Sequence, residues 1–265
     1  MNNTMRIIIT WLLLVGTLAV NTLSITMPIN GITPAAVSAL YPNYFVPDGR
    51  TFSIWSVIYT GLLLFAIYLT AGLLRWPTGD ERRTRVMAIL PWFWATCLLN
   101  ASWLLAWHHL QLALSLGIML TLLYCLLRIG GLLQKRPPTL GLPEAWIVDG
   151  PFFIYLGWIS VATLANATAL LVHYGYSGAP LHPEWWSIIL LGLATLAATV
   201  ASLKFVRPAY TLVIAWAAWG IYRGQHLQAP LVGKAAMVVA GFCLTLGLFT
   251  YWQKIKLHRG IRVTH

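Results

Sequence analysis

Long apolar runs, separated by short segments that hold most of the charges, dominate the hydrophobic pattern of this chain. The run from Leu112 to Leu127 carries no charge and shows no apolar–polar alternation, which argues against the strands of an outer-membrane barrel. Because a chain in hydrocarbon must bond its own backbone groups, such runs predict transmembrane helices. Eight are expected, at 6–27, 52–74, 86–107, 111–133, 150–174, 185–203, 208–223 and 234–253.

The seventh predicted helix is the shortest. It has only about 16 residues between Pro208 and Gly224, fewer than the roughly 20 that cross a bilayer without tilt or thinning. We therefore expect it to be short, tilted or partly re-entrant. Composition agrees with a membrane protein, since 59% of the 265 residues are hydrophobic and only 9% are charged.

The basic residues are distributed asymmetrically. With eight spans and a cytoplasmic N-terminus, the inner side collects 14 of the 17 Lys and Arg residues, which satisfies the positive-inside rule. Only Arg50, Arg223 and Lys234 fall outside. We expect a multi-pass protein of the bacterial inner membrane with both termini in the cytoplasm. The net charge of +11 then reflects insertion and anionic lipid, and no nucleic-acid partner is expected.

The acidic residues lie in predicted loops or at helix ends: Asp48, Asp80, Glu81, Glu144, Asp149 and Glu184. Ion-coupled transporters commonly hold an ionisable residue at mid-membrane. Because the acidic residues of this chain lie in predicted loops or at helix ends, an ion-coupled pump is less favoured.

Two predicted helices carry aromatic faces with a buried amide. On the third, the spacings of 8, 3 and 4 place one set of residues on one face: Trp92, Asn100, Trp103 and Trp107. On the fifth, Trp158, Ala162 and Asn166 follow at intervals of four. Aromatic walls with a few polar points typically line sites for flat, apolar ligands. The alternative is structural, because Trp also collects at interfaces and Asn also bonds neighbouring helices.

We interpret five further tryptophans as residues of the membrane interface: Trp76, Trp146, Trp185, Trp186 and Trp252. His108 and His109 form a predicted turn and could ligate a metal or a haem iron, but adjacent loop histidines are more often solvated polar residues. We expect no metal site.

Three motifs resemble the TspO/MBR family of tryptophan-rich sensory proteins related to the mitochondrial translocator protein. Pro47, Trp55 and Tyr59 in FVPDGRTFSIWSVIY match a proline-rich loop entering a W-x-x-x-Y helix. LLNASW supplies N-x-x-W, and YLGWISVATLANAT supplies W-x-x-x-A-x-x-x-N. The segment Pro28 to Thr33 is similar to that of longer bacterial members. Departures include Val46 in place of the first proline of a Pro-Pro pair.

The resemblance implies an all-α polytopic bundle with a five-helix unit over residues 1–175 and three further helices over 176–265. It implies a pocket for porphyrins, haem or sterol-like molecules, capped by a lid from Pro28 to Arg50. Carried over residue by residue, that pocket uses Trp55, Asn100, Trp103, Trp158, Ala162 and Asn166.

The leading hypothesis is a membrane protein that senses or handles tetrapyrroles, with no required cofactor and with porphyrin or haem as a possible ligand. The alternative is a transporter of a small amphipathic solute, in which Lys204 near the inner end of the sixth helix would matter. Light-dependent porphyrin breakdown ranks last, because no nucleophile, metal site or acid-base pair supports conventional catalysis. Expected partners are the lipid bilayer and a small hydrophobic ligand; a homodimer is possible, although GxxxG-like motifs are not prominent.

Overall fold

The structure is a computed structural model that describes residues 1–134, 144–176 and 178–262, with side chains up to Lys256 in the last helix. Within these ranges the regular structure is helical and contains no strand. The α-helices are α1 (Asn3–Thr26), α2 (Pro34–Ala39), α3 (Ile54–Arg75), α4 (Glu81–His108), α5 (Leu112–Gln134), α6 (Gly150–His173), α7 (Pro183–Leu203), α8 (Pro208–Gln225) and α9 (Pro230–Arg262). The prediction of an all-α bundle is confirmed.

Short helical turns precede two of the long helices. A 3₁₀ turn, Gly49–Ser53, leads into α3, and a π-helical turn, Ala145–Asp149, leads into α6. Proline occupies the first position of α7, α8 and α9, where its missing N–H has no intrahelical acceptor to lose. Asp80 caps α4 by accepting a hydrogen bond from the Arg82 backbone N–H at 2.8 Å.

Seven helices in the described part of the chain are long and apolar enough to cross a membrane. The seventh predicted span, the shortest, forms as α8, but it is not among these seven helices. Its 18 residues extend roughly 27 Å, slightly less than the hydrocarbon core of about 30 Å. Eleven of the 18 residues are buried, so α8 is mostly enclosed by protein. The protein is a multi-pass membrane protein, and α8 differs from its other long helices.

The chain divides into two compact units. The first comprises Met1–Pro34 and Trp55–Leu156, in which α4 packs against α1 and α5. The buried rings of Phe65, Phe93 and Phe152 meet edge to face in this unit, with centroids 5.0–5.7 Å apart. The unit also buries a salt bridge in which the Arg85 guanidinium lies 2.5 Å from the Asp149 carboxylate.

The second unit comprises Ala35–Ile54 and Gly157–His265. In it α7, α8 and α9 pack on one another, and the segment before α3 lies along α8. Gly247 on α9 allows that helix to lie close to α8, because a Cβ at this position would lie only 2.8 Å from Leu212 Cδ2. This division by compactness differs from the boundary at residue 175, which follows the resemblance and stays a prediction.

Candidate ligand-binding site

Asn100 is the centre of a buried hydrogen-bond network in the first unit. Its Oδ1 accepts hydrogen bonds from Asn21 Nδ2 at 2.8 Å and from the Tyr59 hydroxyl at 3.3 Å. Its Nδ2 donates to the Tyr155 hydroxyl at 2.9 Å. Asn100 is only 1% exposed. Three of the four hydrogen bonds that an amide side chain can make are therefore supplied by the protein itself.

Four rings form an aromatic cluster next to this network: Trp55, Tyr59, Trp103 and Trp107. Trp55 stacks on Tyr59 with centroids 5.4 Å apart and planes at 16°. Trp103 stacks on Trp107 at 5.9 Å and 20°, and Trp55 lies 6.4 Å from Trp103 at 31°. The spacing of four residues on α3 and on α4 brings each stacked pair together, because residues i and i+4 share a helix face.

The two indoles that α4 contributes to the aromatic cluster differ in their hydrogen bonding. Trp107 Nε1 donates to the Pro34 carbonyl oxygen at 3.1 Å. Trp103 Nε1 is buried and has no hydrogen-bond partner among the residues that the structure describes. An unmet buried N–H costs roughly 1–3 kcal/mol, so it is a donor to which a ligand can supply the acceptor.

The second unit holds the other three predicted site residues, all on α6. Trp158 and Asn166 are each 3% exposed, and Ala162 lies between them in the sequence, one helical turn from each. The Trp158 ring meets Phe52 edge to face, with centroids 5.8 Å apart. Sequence analysis did not assign Phe52 to the site. Here it is an aromatic neighbour of a predicted site residue.

The structure therefore brings Trp55, Asn100 and Trp103 together in one unit and aligns Trp158, Ala162 and Asn166 on one helix. Sequence analysis missed Asn21 and Tyr155, which bond Asn100. A signal for Asn21 exists, because the buried polar residues of α1, namely Thr10, Thr17, Asn21 and Ser24, recur at intervals of 7, 4 and 3. Tyr155 gives no such signal within the aromatic, apolar start of α6.

Trp92 does not join the aromatic cluster, although helical spacing places it on the same face. Its ring contacts Tyr124, with centroids 5.9 Å apart, and the Arg128 guanidinium, at 4.8 Å. Lys204, the residue named for a transport pathway, follows α7 as its C-cap, and its Nζ lies 5.5 Å from the Phe205 ring. Lys204 therefore lies at a helix end, where basic residues commonly anchor a helix at the membrane interface.

His108 ends α4 and is fully buried, which corrects the expectation of a solvated loop residue. Its Nδ1 lies 2.9 Å from the Ile29 carbonyl oxygen, and since a carbonyl only accepts, Nδ1 carries the proton. Asn30 Nδ2 donates to the His108 carbonyl oxygen at 3.1 Å. In the described ranges no group of three or more His, Cys, Asp or Glu residues is placed to hold a metal ion.

The segment expected to act as a lid, Pro28 to Arg50, is held at separate points. In the first unit Ile29 and Asn30 bond His108. In the second unit the Val46 carbonyl oxygen accepts from Gln225 Nε2 at 3.0 Å, and the Asp48 N–H donates to the Gly220 carbonyl oxygen at 2.9 Å. Movement of the whole segment would break bonds in both units.

The family model described as TSPO-like protein matches residues 7–249 of the chain. This match reaches well beyond residue 175 and takes in α7, α8 and most of α9, which the sequence motifs left outside the resemblance. No curated protein and no solved structure matches the chain.

Proposed function

Since the chain belongs to the TSPO-like protein family, we propose that it binds flat hydrophobic ligands of the porphyrin or haem type and senses or handles them in the membrane. The observation that carries this proposal is the buried Trp103 indole N–H, which has no partner in the described chain and lies in the aromatic cluster. Such an arrangement offers a stacking surface and a polar point together.

The aromatic cluster supplies the stacking surface. Each favourable ring pair contributes about 0.5–1.5 kcal/mol beyond the area that it buries. The centroids of Trp55 and Trp103 are 6.4 Å apart, whereas a flat ligand between two rings needs roughly 7–8 Å, two contact distances. Insertion between them therefore requires one ring to move. Trp55 is the half-buried member of this pair, so we assign the movement to Trp55.

Asn100 acts in this proposal through the rings that it positions. Its amide already bonds Asn21, Tyr59 and Tyr155, and Tyr59 is the ring on which Trp55 stacks. For α6, Trp158, Ala162 and Asn166 are assigned to ligand binding as a stacking ring, a small side chain and an amide. That assignment follows the family resemblance.

We further propose that the protein lies in the bacterial inner membrane with both termini in the cytoplasm. This orientation requires α8 to cross, because an eighth crossing returns the chain to the side on which it began. The asymmetry of the basic residues supports it.

Titration of protoporphyrin IX into the detergent-purified protein, followed by quenching of tryptophan fluorescence, tests the proposal. Trp103→Phe keeps the ring but removes the N–H, so we expect about five- to tenfold weaker binding. Trp252→Phe is the matched control, because Trp252 is 51% exposed on α9, and it should leave the affinity unchanged. Unchanged affinity in the Trp103→Ala, Trp158→Ala double variant would reject the proposal.

A further inference from the structure

The second unit contains a cavity of about 750 Å³ whose described lining includes none of the six predicted pocket residues, although residues 38–46 of the predicted lid form one of its walls. Four chain segments line it: residues 38–46, the end of α6, the start of α7, and the region of Gln225 and Gln228 at the end of α8. Cavities of roughly 300–1,000 Å³ accept a ligand of drug size. We call it the uncharged cavity, since none of its lining residues that the structure describes carries a charge.

The lining combines apolar surface with amides and hydroxyls. Leu171, Val172 and Trp186 are among its apolar members, and Gln225 and Gln228 supply amides. Transfer of an ionised group into such a site costs several kcal/mol without a counter-charge. The chemistry of the lining therefore favours a neutral ligand.

Trp186 is a lining residue whose indole N–H lacks a hydrogen-bond partner in the described chain. Its Nε1 is buried, and its ring meets Tyr176 edge to face with centroids 5.9 Å apart. An indole N–H can only donate, so the group that satisfies it must be an acceptor. Sequence analysis had assigned Trp186 to the membrane interface alone.

The wall formed by residues 38–46 is held in place by α8. Gln225 Nε2 donates to the Val46 carbonyl oxygen at 3.0 Å, and Trp216 Nε1 donates to the Thr51 carbonyl oxygen at 3.0 Å. Asn43 closes a local turn by accepting from the Phe45 N–H at 3.0 Å. A site whose walls are fixed before binding avoids part of the entropy cost of ordering them.

We propose that the uncharged cavity is a second small-molecule site, which takes a neutral, largely apolar ligand with a carbonyl oxygen that accepts the Trp186 N–H. This site belongs to the unit that contains α7, α8 and α9, and it gives α7 and the end of α8 a role in binding. The proposal does not depend on porphyrin binding in the first unit.

Photolabelling with benzophenone tests the proposal, because benzophenone is neutral and apolar, carries one carbonyl oxygen, and attaches to nearby C–H bonds on irradiation. The full-length protein in detergent is irradiated at increasing benzophenone concentrations, and labelled peptides are mapped by mass spectrometry. We expect saturable labelling of peptides that contain residues 38–46 or 168–176. For the anionic analogue 4-benzoylbenzoate, we expect labelling of the same peptides to be lower by a factor of about ten or more.

Two adjacent tryptophans form the matched pair of variants. Trp186→Phe removes the indole N–H and should lower labelling of the cavity peptides about three- to tenfold. Trp185→Phe, at a residue that is 53% exposed, should leave it unchanged. Ala39→Phe adds a ring to the lining at an exposed position without removing a hydrogen bond, and it should abolish labelling.

Equal labelling in the wild type, Trp186→Phe and Ala39→Phe would overturn the site. Equal labelling by 4-benzoylbenzoate and benzophenone would overturn the neutral ligand class. If Trp186→Phe fails to fold, Ala39→Phe decides the first question alone.

Discussion

The two units of the molecule satisfy their buried polar atoms in different ways. In the first unit these atoms bond mainly one another, as in the Asn100 network and the salt bridge between Arg85 and Asp149. In the second unit, amide side chains and Trp186, whose indole N–H has no partner in the described chain, line a cavity. The first unit uses most of these polar groups to join helices and leaves the Trp103 N–H without a partner in the described chain, whereas the second unit places polar side chains around a cavity.

This difference predicts different effects for substitutions in the hydrogen-bond networks of the first unit and around the uncharged cavity of the second. A polar side chain inside a membrane protein either bonds a neighbouring helix or marks a functional site. Substitutions in the networks of the first unit should therefore lower the free energy of unfolding. Substitutions around the uncharged cavity should change binding with smaller effects on stability.

The largest effect is expected for Arg85→Ala. The Arg85 guanidinium lies 2.5 Å from the Asp149 carboxylate and 3.0 Å from the Leu133 carbonyl oxygen, and both charged side chains are almost fully buried. Removing it deprives a buried carboxylate of this counter-charge, which should cost about 3–5 kcal/mol of unfolding free energy. Unfolding in mixed micelles, followed by circular dichroism, measures the loss.

Arg82→Ala is the control for that prediction. Arg82 lies 2.7 Å from the Asp80 carboxylate, but its side chain is 43% exposed. The Arg82 guanidinium holds the pKa of the Asp80 carboxyl below its usual value, and solvent screens this attraction. Its removal should barely change stability at neutral pH. Equal losses in Arg85→Ala and Arg82→Ala would contradict the assignment of stability to the buried pair.

An intermediate effect is expected for Asn100→Leu. It removes the partner of Asn21, Tyr59 and Tyr155 at once, and should lower the unfolding free energy by about 2–3 kcal/mol. Asn21→Leu removes one of these bonds and should cost about 1 kcal/mol. If Asn100→Leu keeps full stability yet loses protoporphyrin binding, Asn100 is a ligand contact instead of a centre of the network.

The smallest of the three effects is expected for Gly220→Ala. A Cβ at Gly220 would lie 2.1 Å from Thr51 Oγ1 and 2.7 Å from Thr51 Cγ2, so the segment before α3 must shift away from α8. We expect a loss of about 1–2 kcal/mol in unfolding free energy, together with weaker benzophenone labelling of residues 38–46.

Gly241→Ala is its matched control on α9. Nothing lies within 4 Å of a Cβ at that position, so alanine should stabilise the helix by about 0.5–1 kcal/mol. Equal stability of the two alanine variants would show that α8 does not hold this segment by close contact.

Part of the candidate site could be predicted from local spacing. Trp55 with Tyr59, and Trp103 with Trp107, are stacked pairs because four residues separate each pair on one helix. Tyr155 could not be found in this way, since nothing in the apolar start of α6 shows that its hydroxyl meets Asn100. Trp186 follows a helix start beside Trp185, and the sequence does not distinguish the exposed indole from the one that lines a cavity.

The sequence by itself determined that this is a helical membrane protein, where most of its helices begin and end, and which family it resembles. These follow from local rules: apolar length, charge asymmetry, proline and glycine positions, and residues four apart on one helix. Tertiary structure alone decided that Asn100 is satisfied by three side chains and that Trp103 and Trp186 are not satisfied in the described chain. It also decided that α8 is mostly enclosed by protein and holds the segment before α3. Hydrogen-bond partners distant in sequence depend on how helices pack, and the spacing of residues along one helix does not contain that information.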